Sequence, residues 1–87
     1  MIVRIPSPLR SYTAQATRVE AIGVTVDDVL VDLDRQFPGI RFRVVDEQGR
    51  LRKHMKVFVN DEAVRDLGAT VGPDEDELSL VQALSGD

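Results

Sequence analysis

Eighty-seven residues make one domain with a modest core, too small to build and also cover a deep cleft between two layers, so a self-sufficient enzyme is not expected. A formal net charge of −4 lacks the positive field on which phosphate-backbone binding rests, which argues against nucleic acid as the main partner. With no cysteine in the chain there is no disulfide framework, thiolate ligand or cysteine nucleophile, and any sulfur chemistry must use sulfur supplied from outside.

No apolar run approaches the length that crosses a bilayer, and Met1 opens directly on a strand-like segment instead of a charged leader. A soluble cytoplasmic protein with no membrane partner is expected. The first segment, Met1-Ile2-Val3-Arg4-Ile5, is β-branched and predicts a strand that stops at Pro6-Ser7-Pro8, where two prolines remove ladder donors. A polar connection from Ser7 to Thr17 carries Leu9 and Tyr12, apolar bodies read first as loop packing, on the sheet edge, and otherwise as a free contact surface. Arg18-Val19-Glu20-Ala21-Ile22 alternates charged and apolar residues, as a strand with one wet face does, and pairs most simply with the first strand in antiparallel fashion.

Gly23 breaks this strand, and Thr25 stands at a helix N-cap with Asp28 three residues on and Asp27 in the first turn. Val26, Val29, Leu30, Leu33 and Phe37 fall on a single apolar stripe, which should pack on the sheet with Val3, Val57 and Val59. The other faces carry Asp27, Asp28, Asp32, Asp34 and Arg35. Carboxylates at that spacing do not converge on one ion, so no metal site is expected. Pro38-Gly39 ends the helix.

Ile40, Phe42 and Val44 then alternate with Arg41 and Arg43, which suggests an extended segment leading to the turn at Asp46-Glu47-Gln48-Gly49; a short helical turn would suit the same residues. Met55-Lys56-Val57-Phe58-Val59-Asn60 reads as a central or near-central strand closed at Asn60-Asp61. Before and within it, Arg50, Arg52, Lys53, His54 and Lys56 make the one concentrated positive run. It is either a solvated loop or a docking patch for an acidic partner surface. His54 has no orienting partner in the sequence and is read as a surface residue. Ala63–Leu67 is long enough for one turn of helix or a brief edge strand, and the acidic run 73–77 is read as a charged turn.

The last eleven residues, Glu77-Leu78-Ser79-Leu80-Val81-Gln82-Ala83-Leu84-Ser85-Gly86-Asp87, carry a strand pattern into a small-residue tail whose terminal carboxylate is expected to stand in solvent beyond the core. Strand, strand, helix, strand, short elements and strand in this length point to an α+β domain, one helix laid across a mixed sheet, over residues 1–87. A β-grasp, ubiquitin-like fold has that order. Periodicity alone does not separate it from other small α+β sheets.

The chain resembles the MoaD/ThiS group of ubiquitin-like sulfur carriers through Ile5-Pro6-Ser7-Pro8-Leu9-Arg10, Thr25-Val26-Asp27-Asp28-Val29-Leu30, Gly49-Arg50-Leu51, Val57-Phe58-Val59-Asn60, Asp76-Glu77-Leu78 and Leu84-Ser85-Gly86. The loop after Pro38-Gly39 and the Val-Phe-Val-Asn strand look closest to the cysteine-biosynthesis branch. The resemblance implies a carrier, not an enzyme, whose C-terminal Gly-Gly carboxylate is adenylated with ATP by an E1-like enzyme, converted to a thiocarboxylate and used by a sulfur-accepting enzyme. It implies no cofactor bound to the chain itself, with ATP used by the activating partner, and a carrier that is a monomer when alone.

The sequence matches the tail at Gly86 and departs at Asp87, where the family has glycine. A folded relative that no longer carries sulfur, a variant of a working carrier, and a carrier served by a permissive enzyme all fit that departure. Activation is accordingly expected at Gly86 and Asp87. Partner contact is expected on the outer sheet face and tail root, through Val81, Leu84 and Ser85, with Arg50, Arg52 and Lys53 as a steering rim. The alternative is a β-grasp binding module that docks to the same partners and is never activated.

Overall fold

The computed structural model describes residues 1–71 and 77–82. Strands β1 (Ile2–Arg4), β2 (Arg18–Glu20), β3 (Met55–Val59), β4 (Glu62–Val64) and β5 (Glu77–Gln82) form one mixed sheet in the order β2-β1-β5-β3-β4. β1 pairs with β2 antiparallel, as the alternation at 18–22 predicts, although β2 stops at Glu20. β5 lies between β1 and β3, parallel to the first and antiparallel to the second. The last strand is therefore the central one, held on both sides. A parallel partner needs a crossover, and the helices between β2 and β3 supply it.

Helix α1 (Val26–Gln36) starts where the sequence places it. The Thr25 hydroxyl accepts the Asp28 N–H at 3.1 Å and the Asp28 carboxylate accepts the Thr25 N–H at 3.3 Å, so two otherwise orphaned donors are satisfied reciprocally. Val26, Val29, Leu30 and Leu33 are fully buried in one core with Val3, Val57, Leu78 and Leu80. Phe37, expected at the end of this stripe, is half-buried. It sits at the C-cap with φ −131°, past the last helical turn, and so leaves the helical spacing. Val59, next to the turn at Asn60, is half-buried too.

The acidic face of α1 is occupied by local duties. Asp27 pairs with Arg41 at 2.6 Å, Asp28 caps the helix, and Asp32 accepts the Ile22 N–H at 3.0 Å and the Arg35 guanidinium. Asp34 accepts the N–H groups of Gly39 and Arg41 at 3.0 and 3.1 Å. Hydrogen bonding from Arg35, and next from the Ile22 amide, holds the Asp32 carboxyl below its usual range.

Asp34 also explains where the extended reading of 40–45 fails. Residues Ile40–Val44 form a short helix, α2, not a strand. Gly39 takes φ +97°, a left-handed conformation that glycine adopts freely, and the Asp34 carboxylate caps the new turn from across the loop. Ile40 and Val44, four apart, point into the core while Phe42 between them is 55% exposed. A second correction concerns 7–17, which holds a 3-10 helix at Ser7–Thr13 that buries Leu9 in the core. Buried Thr13 donates to a main-chain carbonyl of this loop, with Ala16 O at 2.9 Å, so it needs no water. The stretch at 63–67 contributes β4 as a brief edge strand.

Gly23 presses its backbone onto the first turn of α1. A Cβ there would lie 2.5 Å from the Val29 nitrogen and 2.8 Å from the carbonyl carbon and Cβ of Asp28, atoms fixed by the helix backbone that cannot swing away. Gly23→Ala is expected to cost about 1–3 kcal/mol through that overlap. Chemical denaturation of the variant checks it, and a midpoint unchanged from the parent would mean that the β2–α1 loop stands off the helix in solution.

Candidate functional site

The central position of β5 decides what the sheet offers to a partner. Leu78 and Leu80 point into the core, so Glu77, Ser79 and Val81 point the other way. Register across the sheet then sets Arg18, Arg4, Ser79, Phe58 and Ala63 in one row over that outer face, with Val81 paired to Lys56 in a neighbouring row. Val81 is 39% exposed and Phe58 is half-buried. Arg4 donates from Nε to the Glu77 carboxylate at 3.0 Å, which ties β1 to β5 on this face. The outer face is thus a small apolar centre, Phe58 and Val81, bordered by Arg4, Arg18 and Lys56.

Phe58 is legible as an outward residue from its place beside inward Val57. The structure divides the basic stretch. Lys56 joins the outer face beside Val81. Arg52 turns to α2, where its Nε donates to Phe42 O at 2.7 Å and its guanidinium lies 4.7 Å from the Phe42 ring centroid. Arg52 and His54 also line a concavity of about 190 Å³ together with Arg43, Met55 and Gln82, so this part of the run reaches the point where β5 ends. Lys53 is exposed in the turn before β3.

Arg50 belongs to a different place. It closes the turn after Asp46, its N–H donating to the Asp46 carboxylate at 2.9 Å and its side chain to Gln48, and it faces Arg65 and Gly68 across a separate concavity. That amide from Arg50 is the main reason the Asp46 carboxyl sits below its usual range, with the Gln48 amide adding to it. A group with a depressed folded-state pKa stabilises the fold above its unfolded value, about 3.9 for Asp, and that contribution is lost as pH falls through the folded value. Carboxyl NMR titration is expected to give Asp46 a midpoint below 3.9; a midpoint at or above it would remove the two amide bonds from the solution structure.

The structure therefore brings Val81 and Lys56 together on the sheet and places Arg52 and His54 at the end of β5, while Arg50 stands apart. Leu84, Ser85, Gly86 and Asp87 lie outside the described residues. Among the described residues, no three acidic or histidine side chains gather as a metal set, and no helix is long and apolar enough to cross a membrane.

Comparison with known proteins gives the family. The model of the ThiS family matches residues 3–86. The chain belongs to the ThiS family. A curated relative, the sulfur carrier protein CysO of Mycobacterium tuberculosis (strain ATCC 25618 / H37Rv), is 36% identical over 88 residues, covering 97% of this chain and 95% of that protein. Among solved structures, a chain of the Amycolatopsis orientalis BexX/CysO complex superposes with a TM-score of 0.90 at 38% identity, covering 99% of this chain and 98% of that one. Mycobacterium tuberculosis CysO gives 0.88 at 34% identity, with 95% and 98% covered. The family's fold reaches further, to SAMP1 of Haloferax volcanii, with a TM-score of 0.77, 31% identity and coverage of 100% and 98%. The five-stranded mixed sheet with its helix is the ubiquitin-like β-grasp expected from the order of elements.

Proposed function

We propose that the chain is a ubiquitin-like sulfur carrier, a substrate of other enzymes and not an enzyme itself. The observation that carries this reading is the match along nearly the whole length to the ThiS family and to proteins named as the sulfur carrier CysO. In the proposed cycle a carboxylate oxygen at the end of the tail attacks the α-phosphate of ATP on an E1-like adenylating enzyme and releases pyrophosphate. Hydrosulfide then attacks the acyl carbon and expels AMP, leaving a thiocarboxylate for a sulfur-accepting enzyme. ATP belongs to the partner, and the chain supplies the acyl group and the docking surface.

The parts of the chain would divide that work. β5 is held by β1 as far as Ser79 and by β3 as far as Gln82, so its direction is fixed up to the residue from which the tail continues in sequence. Gly86 and Asp87 are the proposed activation position. Val81 and Leu84 are proposed as apolar anchors with Ser85 between them and the reacting end, and Arg52 with Lys53 as a rim beside the tail root. Arg50 stands away from that root, so its part in the rim is the weakest. The test is the intact mass of the chain after incubation with ATP, a sulfide source and an adenylating enzyme of this family: replacement of one oxygen by sulfur supports the carrier.

A second reading, a binding module that docks and is never activated, is favoured by Asp87 standing where the resemblance to the sulfur carriers implies glycine. The docking surface is common to both. Val81→Ala and Leu84→Ala are each expected to weaken association with the adenylating enzyme by about tenfold, mainly through faster dissociation. Arg52→Glu should instead slow association and flatten its salt dependence. Surface plasmon resonance at two salt concentrations separates these effects, and unchanged dissociation in both alanine variants would remove the anchors.

A further inference from the structure

β1 and β5 end at different heights. β1 pairs with β5 only as far as Arg4 and Ser79, because the chain then turns away through Pro6 and Pro8. β5 continues through Leu80, Val81 and Gln82, paired among the described residues on one side alone, with Val57, Lys56 and Met55 of β3.

The direction of the main-chain groups follows from bonds at either end. Asn60 N–H donates to Glu77 O at 3.0 Å, and Glu77 N–H donates to the Asn60 side chain at 2.9 Å, so residue 77 faces β3. Strand alternation then turns the N–H and C=O of Leu78, Leu80 and Gln82 toward β1. On β1 itself, Met1 O accepts from Ala21 and Ile5 N–H donates to Thr17, so residues 1, 3 and 5 face β2 while 2, 4 and 6 face β5. The residue set to donate to Leu80 O is therefore Pro6, which has no N–H. Beyond it the main-chain groups of Gln82 face the same opening.

That opening is a groove of about 760 Å³ walled by Arg4, Pro6, Pro8, Arg10, Arg18 and Val81 among others. Three arginines meet here on a chain whose net charge is −4. Arg4 is engaged by Glu77. Arg10 spends only its Nε, on Ile5 O at 3.1 Å, and Arg18 is exposed on the edge strand with no ion pair among the described residues.

We propose that this groove receives an extended acidic segment of a partner protein, which adds as a short strand to the open side of β5 at residues 80–82 and lays its carboxylates over Arg10 and Arg18. A free strand side pairs with another backbone, and alternate side chains of the added segment then meet the walls. A small anion would use the arginines and leave the strand side unmet. The proposal goes beyond the carrier reading and stands without it, because a chain that is never thiocarboxylated would bind the segment equally well.

The experiment titrates the isotope-labelled full chain with the peptide acetyl-Glu-Val-Glu-Val-Glu-amide, with its Lys-for-Glu counterpart and with inorganic phosphate. The acidic peptide is expected to give saturable amide shifts at Leu80, Gln82, Arg10 and Arg18 and to slow hydrogen exchange at Gln82. Arg18→Glu should weaken it about fivefold or more, the scale of an exposed ion pair turned repulsive. Gln82→Pro deletes a donor that points away from β3, so it should abolish the shifts while the sheet persists. Should that variant fail to fold, Arg18→Glu and hydrogen exchange decide alone. Equal binding of the lysine peptide, shifts confined to residues 50–56, no saturable shift, or the same shifts with phosphate at equal affinity would each overturn the proposal, the last by showing a simple anion site.

Discussion

Leu33→Ala is expected to lower stability by about 2–5 kcal/mol, the loss of a large buried side chain together with the cavity it leaves. Leu33 is fully buried on the face of α1 that meets the sheet, among Val29, Leu30 and the inward residues of β5. The surrounding core is fixed from several directions, by the capped start of α1, by α2 and by the central strand, so it has little freedom to collapse into the space. Urea melts measure the effect, and with a slope of about 1–2 kcal/mol per M the midpoint should fall by about 1 M or more. Val31→Ala on the same helix is the control. Val31 is 51% exposed, and its truncation should stay within about 0.5 kcal/mol. Similar losses for the two variants would mean that the helix is rotated from the position described.

That contrast also shows which features were legible in the sequence. α1 was, because its determinants are local: a capping pair three residues apart and an apolar stripe at helical spacing. α2 was not. Ile40, Phe42 and Val44 satisfy a strand period, yet Ile40 and Val44 alone satisfy a helical one, and the choice is made by Asp34 capping the turn from the previous helix. No local pattern reports that contact. The 3-10 helix was hidden for a similar reason, since Leu9 in a proline-bounded polar stretch gives no period at all.

The candidate site divides along the same line. Val81 is outward by simple alternation from Leu78 and Leu80, and so was readable. The basic run looked like one patch because its members are adjacent in sequence, whereas a turn, a stacking contact with Phe42 and a strand carry them to separate places. Arg4, Arg10 and Arg18 show the converse. They are six and eight residues apart, and only the β1–β2 pairing and the intervening 3-10 helix bring them to one groove.

Asp87→Gly is expected to raise adenylation by on the order of a hundredfold or more, each tenfold step being about 1.4 kcal/mol of barrier. The motive lies at the proposed activation position: the ThiS match runs through Gly86, and Asp87 follows where the resemblance to the sulfur carriers implies glycine. Glycine lets a tail thread a narrow channel with backbone angles closed to other residues. Aspartate adds bulk there and sets a second carboxylate near the ATP phosphates, where two like charges about 4 Å apart repel by about 4 kcal/mol at an effective dielectric of 20. Even part of that cost accounts for the expected factor. Once the α-carboxyl is activated, the β-carboxylate also lies within reach of the acyl carbon, and such proximity favours ring closure over sulfur attack. Pyrophosphate release reads the first effect and thiocarboxylate mass gain reads the second, with the same adenylating enzyme for both variants. Equal turnover would show that Asp87 is accepted and the chain is an ordinary carrier. No turnover of either variant, with association intact, would favour the module that docks without being activated.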